Sequence, residues 1–116
     1  MEKMKCYHGD YIKMNQIQVS HDGKYYALAY QDSGRFYVSI LDRGLNEKKF
    51  IDVSNILKID EESKPIELFE EPGMTAIFMP DDSLFIQVYH RIRCKNYHFT
   101  YDWKRSEPKA SAPVIH

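Results

Sequence analysis

Apolar and polar residues alternate along most of this chain, with short polar turns between the alternating runs. The clearest turn is Asp22-Gly23, which separates an apolar run that ends at Val19 from an aromatic run that begins at Tyr25. Asp tolerates left-handed backbone angles, and Gly takes a positive φ without a steric clash. An Asp-Gly pair between such runs is a strong hairpin signal. The sequence therefore predicts a chain built from β-hairpins.

The first half of the chain predicts four short strands joined by tight turns. The alternation has a period of two, which places successive side chains on opposite faces of a sheet. Strands that follow one another through tight turns form an antiparallel meander. We expect these strands at residues 11–19, 24–31, 36–41 and 49–53.

The middle of the chain is acidic, and the second half repeats the alternation of strands and turns. Pro65 and Pro72 bracket a short run at 66–69, which is expected to be an edge strand because proline does least harm there. A short helix capped by Ser54 is an alternative that the sequence leaves open. Three further strands are predicted at 75–79, 84–89 and 96–103.

These patterns together predict an all-β fold. We expect two antiparallel four-stranded meanders, blade-like or sandwich-like, joined by an acidic segment with at most one short helix. With 116 residues, of which 43% are hydrophobic, the chain suits a single domain. That domain is expected at residues 1–105, with halves at about 11–53 and 66–103. The proline- and alanine-containing remainder, 106–116, is expected to be a flexible tail.

Two stretches resemble the repeats of a known fold family. The run from Val19 to Ala29, with Phe36 to Asp42 after it, resembles one blade of a WD40-type or TolB-type β-propeller. In those repeats a Ser-x-Asp-Gly turn joins two strands. The run from Phe78 to Phe85, followed by Tyr101-Asp102-Trp103, resembles a second copy. A closed propeller needs about four to eight blades. The resemblance therefore implies two blade-like meanders, which either pack on each other or meet a partner chain.

Composition narrows the class of protein only slightly. The formal net charge is −1, which favours no class of partner. Cys6 and Cys94 fit no metal or redox spacing, and free thiols are favoured over a disulfide between them. No apolar run approaches the roughly 18–20 residues of a membrane span, and the N-terminal residues lack the apolar core of a secretory signal. We expect a cytoplasmic protein that does not enter a membrane.

No pattern of catalytic residues stands out. The sequence contains no Gly-x-Ser-x-Gly nucleophile turn, no phosphate-cradling glycine loop and no dinucleotide-binding fingerprint. The five histidines show no spacing typical of a metal site. We therefore expect a protein that is not an enzyme and that uses neither a metal nor a cofactor.

The acidic middle segment is the first candidate binding surface. It suits a solvated edge that blocks aggregation, and it also suits docking to another protein, because apolar anchors lie among its carboxylates. The second interpretation predicts an adaptor or inhibitor that binds a partner protein through a sheet edge and a charged surface. Pairing of open sheet edges would also give a homo-oligomer. The candidate contact residues are Ile66, Glu67, Leu68, Phe69, Glu70 and Glu71.

The C-terminal hairpin supports an alternative function. Residues 88–105 carry five cationic side chains and one aspartate. Aromatic rings beside a cationic groove are how sheet modules hold single-stranded nucleic acid. The rings all occupy odd positions and share one face of the strand, so the competing interpretation places them in the core. The candidate nucleic-acid-binding residues are Arg91, Arg93, Lys95, Tyr97 and Trp103.

Overall fold

The computed structural model describes residues 12–32, 35–59, 73–90 and 95–116. Strands dominate these ranges, which confirms the all-β prediction. The elements are β1 (Ile12–Val19), β2 (Tyr25–Asp32), β3 (Arg35–Asp42), β4 (Glu47–Asp52), α1 (Val53–Leu57), β5 (Met74–Phe78), β6 (Leu84–His90), β7 (Lys95–Asp102), β8 (Lys109–Ala110) and β9 (Val114–Ile115).

The first sheet is an antiparallel meander in the order β1-β2-β3-β4. Its strands begin and end within two residues of the predicted positions. The Asp-Gly turn joins β1 to β2, where the amide of Gly23 donates to the carbonyl of Ser20 at 3.0 Å. Gly23 has a φ of 73°, which side chains rarely allow. The hairpin predicted from this turn is therefore confirmed.

The second sheet contains five strands rather than the four expected. Its order is β5-β6-β7-β8, and β9 also pairs with β7. The predicted edge strand at 66–69 lies outside the described residues, as do Cys6 and Cys94. The strands on the far side of β7 come instead from the C-terminal residues. The second meander is thus completed by a segment that was not expected to contribute a strand.

The C-terminal residues, which were expected to form a loose tail, contribute two short strands along β7 that the sequence did not predict. Backbone hydrogen bonds hold them, including one from the amide of Ser111 to the carbonyl of Thr100 at 2.8 Å and one from His116 to Asn96 at 2.8 Å. The Ser111 hydroxyl also accepts the amide of Thr100 at 2.9 Å. The edge of β7 offers backbone groups that need partners, and the tail satisfies some of them. Sequence composition alone does not reveal that the backbone groups at the edge of β7 need partners.

One cluster of buried side chains spans both sheets. Every second residue of the central strands points into it, as the period of two requires. Of the two arrangements left open above, the sheets therefore pack on each other. No helix within the described ranges is long and apolar enough to cross a membrane. The most deeply buried members from the two sheets include Phe36, Val38, Ile40, Leu84, Ile86 and Val88.

A single helical turn, α1, follows β4. Its N-cap is Asp52, whose carboxylate accepts the amide of Asn55 at 3.0 Å, so the predicted cap by Ser54 is wrong. Ser54 is buried, and its hydroxyl accepts the backbone amide of Phe36 at 2.9 Å. The helix stops at Lys58, which has left-handed backbone angles. Ser54 thus joins the helix to the start of β3.

We expect Ser54→Ala to destabilise the protein by about 1–3 kcal/mol, because it leaves the buried amide of Phe36 without an acceptor. Asn55→Ala is the matched control, since Asn55 is exposed and on the same turn. It should change stability by less than about 0.5 kcal/mol. Urea unfolding measures both. Equal losses in the two variants would contradict this role of Ser54.

Candidate functional site

The β5–β6 turn has the same local chemistry as the β1–β2 turn. The carboxylate of Asp81 accepts the amide of Ser83 at 3.0 Å and its hydroxyl at 2.6 Å. The carboxylate of Asp22 likewise accepts the hydroxyl of Ser20 at 2.6 Å and the amide of Lys24 at 3.0 Å. Short polar side chains of this kind stabilise turns by bonding to nearby backbone.

Asp82 connects the two turns and thereby the two sheets. Its carboxylate accepts the backbone amide of His21 at 2.9 Å, and its carbonyl accepts the indole N–H of Trp103 at 2.8 Å. His21 Nε2 lies 3.1 Å from the carbonyl of Phe78, to which it donates. We call these four residues the clasp. Asp82 is buried and has a φ of 63°, so its backbone is held in the left-handed region.

Lys104 lies directly beside the clasp. Its ammonium is 4.0 Å from the carboxylate of Asp22 and 3.8 Å from that of Asp82. It also lies over the rings of Tyr25 and Trp103, at 5.8 Å and 5.5 Å from their centroids. Those rings meet edge to face, with centroids 4.8 Å apart. Each contact is weak where exposed, but together they fix the direction of Lys104.

A pocket of about 520 Å³ opens at this end of the molecule. We call it the basic pocket, because five of its lining side chains are cationic and one is a carboxylate. The β1–β2 turn, the start of β4 and the segment after β7 form its walls. Consecutive turns of a meander alternate between ends, so the β1–β2 and β3–β4 turns meet here. The lining residues are Asp22, Lys24, Tyr25, Lys48, Lys49, Trp103, Lys104, Arg105 and Ser106.

The turn carboxylates favour their charged form. The Ser20 hydroxyl, with the Lys24 amide and the nearby Lys104 charge, lowers the pKa of Asp22 below its ordinary value of 3.8. The hydroxyl and amide of Ser83 lower the pKa of Asp81 in the same way. Hydrogen bonds to a carboxylate stabilise its ionised form. The negative charge of Asp22 beside Lys104 is therefore retained well below neutral pH.

The outer face of the first sheet, turned away from the shared core, is apolar and aromatic. We call it the apolar face. Its centre holds Leu28, Tyr30 and Leu41, all buried, with Tyr26, Tyr37 and Leu45 packed against them. Its flanks are open: Ile17 is 61% exposed, Val19 55% and Phe50 51%. Large apolar side chains exposed together at this level are typical of a binding surface.

Strand register explains why these side chains share one surface. Ile17 on β1 pairs with Leu28 on β2, and residue 28 pairs with residue 39 on β3. Residue 39 in turn pairs with Phe50 on β4, so one row of paired residues crosses all four strands. The ring of Tyr37 lies 5.6 Å from that of Tyr30 and 5.1 Å from that of Phe50, measured between centroids. Aromatic pairs at these separations add packing energy beyond area burial. The row is Ile17, Leu28, Ser39 and Phe50: its two ends are exposed, and its middle, which includes the polar Ser39, is buried.

The residues proposed from sequence are only partly brought together. Tyr97 and Trp103 are 3% and 5% exposed, so neither ring is free to stack on a base, and the core interpretation of these rings is the correct one. Lys95 is exposed at the start of β7, at the opposite end of the strand from the basic pocket. The other candidates, Ile66, Glu67, Leu68, Phe69, Glu70, Glu71, Arg91 and Arg93, lie outside the described residues.

Sequence analysis did not single out Lys24, Lys48 or Lys49. The signal that could have found them is the order of the meander, which brings the first and third turns of a sheet to the same end. Lys104 and Arg105 were noticed as part of the basic C-terminal hairpin, where they were grouped with Arg91, Arg93 and Lys95. Pairing between strands, rather than proximity in sequence, assembles the basic pocket.

Comparisons with known proteins add no relative: no family model, curated protein or solved structure matches this chain. The likeness to propeller blades therefore stays a prediction. Across the described ranges, no three His, Cys, Asp or Glu side chains are grouped so that they could hold a metal ion.

We expect Asp82→Ala to destabilise the protein by about 1–3 kcal/mol, because it removes the acceptor of the His21 amide. Alanine also disfavours the left-handed backbone angles that position 82 adopts. Asp82→Asn keeps a side-chain oxygen and tolerates these angles, so its cost should be smaller. Thermal or urea unfolding distinguishes them. Equal costs would show that the charge, rather than the clasp geometry, matters.

Acid should destabilise the protein partly through Asp22. Because the folded state lowers the pKa of this carboxylate, its stabilising contribution is present above the ordinary value of 3.8 and is lost as the pH falls through the folded pKa. Urea midpoints between pH 6 and pH 2.5 measure this. Asp22→Asn should give a flatter profile than the unchanged protein, whereas the exposed control Glu107→Gln should not. Parallel profiles for all three would refute the role of Asp22.

Proposed function

We propose that this chain is a non-enzymatic module that binds another protein, as an adaptor or inhibitor, through the apolar face of its first sheet. The observation that carries the proposal is the exposure of Ile17, Val19 and Phe50, each more than half exposed at the two edges of the same sheet face. Burying a side chain of this size stabilises a complex by roughly 1.5–3 kcal/mol before the costs of association. Three such groups are enough to anchor an interface.

The composition of the apolar face favours a protein as its occupant. Tyr26 and Tyr37, both partly exposed, are amphipathic, with an apolar ring and a hydroxyl that can hydrogen-bond, and tyrosine is enriched at protein interfaces. The centre of the face is already packed, so little side-chain entropy remains to be lost there on binding. The exposed flanks then supply anchors around a rigid centre.

The proposal keeps the sheet-edge element of the sequence-based hypothesis. Ile17 and Val19 lie on β1, and Phe50 lies on β4, which are the two edge strands of the first sheet. A partner on the apolar face would therefore reach the backbone of an edge strand as well. The acidic residues at 66–71 stay a hypothesis for a second contact region.

Single-stranded nucleic acid remains the alternative ligand, with less support. The two rings chosen for base stacking, Tyr97 and Trp103, are buried. Stacking on aromatic side chains supplies much of the affinity of such modules. A groove around Lys95 without those rings would have to rely on phosphate contacts alone.

The proposal is tested by capturing partners from the native cell with four forms of the protein. Val19→Asp and Phe50→Asp each place a charge on the apolar face, and Ile77→Asp places one on β5 in the second sheet, where Ile77 is 42% exposed. We expect the unchanged protein and Ile77→Asp to recover the same stoichiometric protein, insensitive to nuclease. The two face variants should bind it at least about tenfold more weakly, the equivalent of about 1.4 kcal/mol.

Two outcomes would overturn the proposal. One is equal recovery by all four forms, and the other is recovery that nuclease abolishes. A thermal melt of each variant verifies that it is folded. Sedimentation at increasing concentration detects a second copy of the chain as the occupant: self-association that Val19→Asp removes and Ile77→Asp retains would replace the separate partner by a homo-oligomer.

A further inference from the structure

We propose that the basic pocket binds a small ligand that carries a phosphate group. This site is separate from the apolar face and does not depend on the function proposed for that face. It lies at the clasped end of the molecule, and the loop and strand segments that form it come from both sheets. Its volume of about 520 Å³ falls within the range of small-molecule sites.

The charge of the pocket contrasts with that of the whole chain. The chain has a formal net charge of −1, whereas the pocket walls carry five cations and one carboxylate. That carboxylate, on Asp22, already accepts two hydrogen bonds from its own turn and lies near Lys104. The Lys104 charge therefore offsets part of the repulsion between Asp22 and an incoming anion. The local field favours negative ligands.

Two of the five cations are compensated inside the protein. Lys104 lies between the carboxylates of Asp22 and Asp82, and Lys48 lies 3.8 Å from the carboxylate of Asp42. The other three have no ion pair within 4 Å among the described residues. Like charges gathered at one site repel one another, so an anion bound between them would relieve that repulsion, although Lys24 also lies near the charge of Asp22. The three are Lys24, Lys49 and Arg105.

The three uncompensated cations favour phosphate over a carboxylate. They come from the β1–β2 turn, from β4 and from the segment after β7, so they approach the pocket from different sides. A carboxylate has one charge and two oxygens in a plane, but a phosphate monoester carries nearly two charges and presents three oxygens. The guanidinium of Arg105 matches phosphate oxygens as a fork, and lysines add point charges.

An aromatic wall suits the organic part of the ligand. Tyr25 is partly buried and Trp103 is nearly fully buried, and both line the pocket. Because the Trp103 ring is nearly fully buried, this wall favours a small phosphorylated molecule over a nucleic-acid strand, which needs a groove with exposed rings. Trp103 is the one tryptophan of the chain, so its fluorescence reports on this pocket.

The test is a fluorescence titration of the whole chain with inorganic pyrophosphate at constant ionic strength, with heat of binding as a second readout. We expect a saturable change in Trp103 emission. Lys49→Gln and Arg105→Gln should each weaken binding by about fivefold or more, the loss of one charge-assisted contact. Lys95→Gln removes the same charge at the other end of β7 and should stay within about twofold.

Three results would overturn the proposal. The first is the absence of both a saturable emission change and a heat of binding. The second is equal weakening by Lys95→Gln, which would indicate general charge attraction. The third is equal binding of citrate, a carboxylate ligand of comparable charge, or binding of a single-stranded oligonucleotide without binding of pyrophosphate. Circular dichroism of each variant verifies that Lys49→Gln and Arg105→Gln remain folded.

Discussion

The arrangement of the two sheets depends on one buried turn residue. Asp82 accepts the His21 amide through its side chain and the Trp103 indole through its carbonyl, so it links a turn of each sheet and the segment after β7. Both the orientation of Lys104 and the shape of the basic pocket follow from that link. Burying a carboxylate costs free energy unless its hydrogen bonds are made, so the folded state favours the arrangement in which Asp82 makes them.

Much of the fold was predictable because local chemistry and alternation agree. Turn signals such as Asp22-Gly23, together with alternating runs such as those of β3 and β7, predicted seven strands that the described residues confirm. That the rings at 97, 99 and 103 share one face also follows from parity, and the structure places them in the core. Where a turn signal borders a run that alternates with a period of two, the sequence alone is enough to predict the strand.

The errors concern features that depend on distant parts of the chain. Nothing near Lys109 or Val114 indicates that the edge of β7 requires partners, so the tail was expected to be loose. Serine is a residue type that often caps helices, but the Ser54 hydroxyl accepts the backbone amide of Phe36, 18 residues earlier. The lysines of the basic pocket are likewise adjacent only after the strands pair. Contacts at long sequence separation leave little local pattern to detect.

The tail on β7 has a consequence for the integrity of the protein. The side chains of β9 are exposed, with Val114 46% and Ile115 55% accessible, so backbone pairing rather than burial holds that strand in place. A proteolytic cut after Arg105 would separate β8 and β9 from the rest of the chain and allow them to leave β7. The exposed edge of β7 would then be able to pair with an extended strand of another chain. Repeated pairing of this kind would link many copies into a polymer.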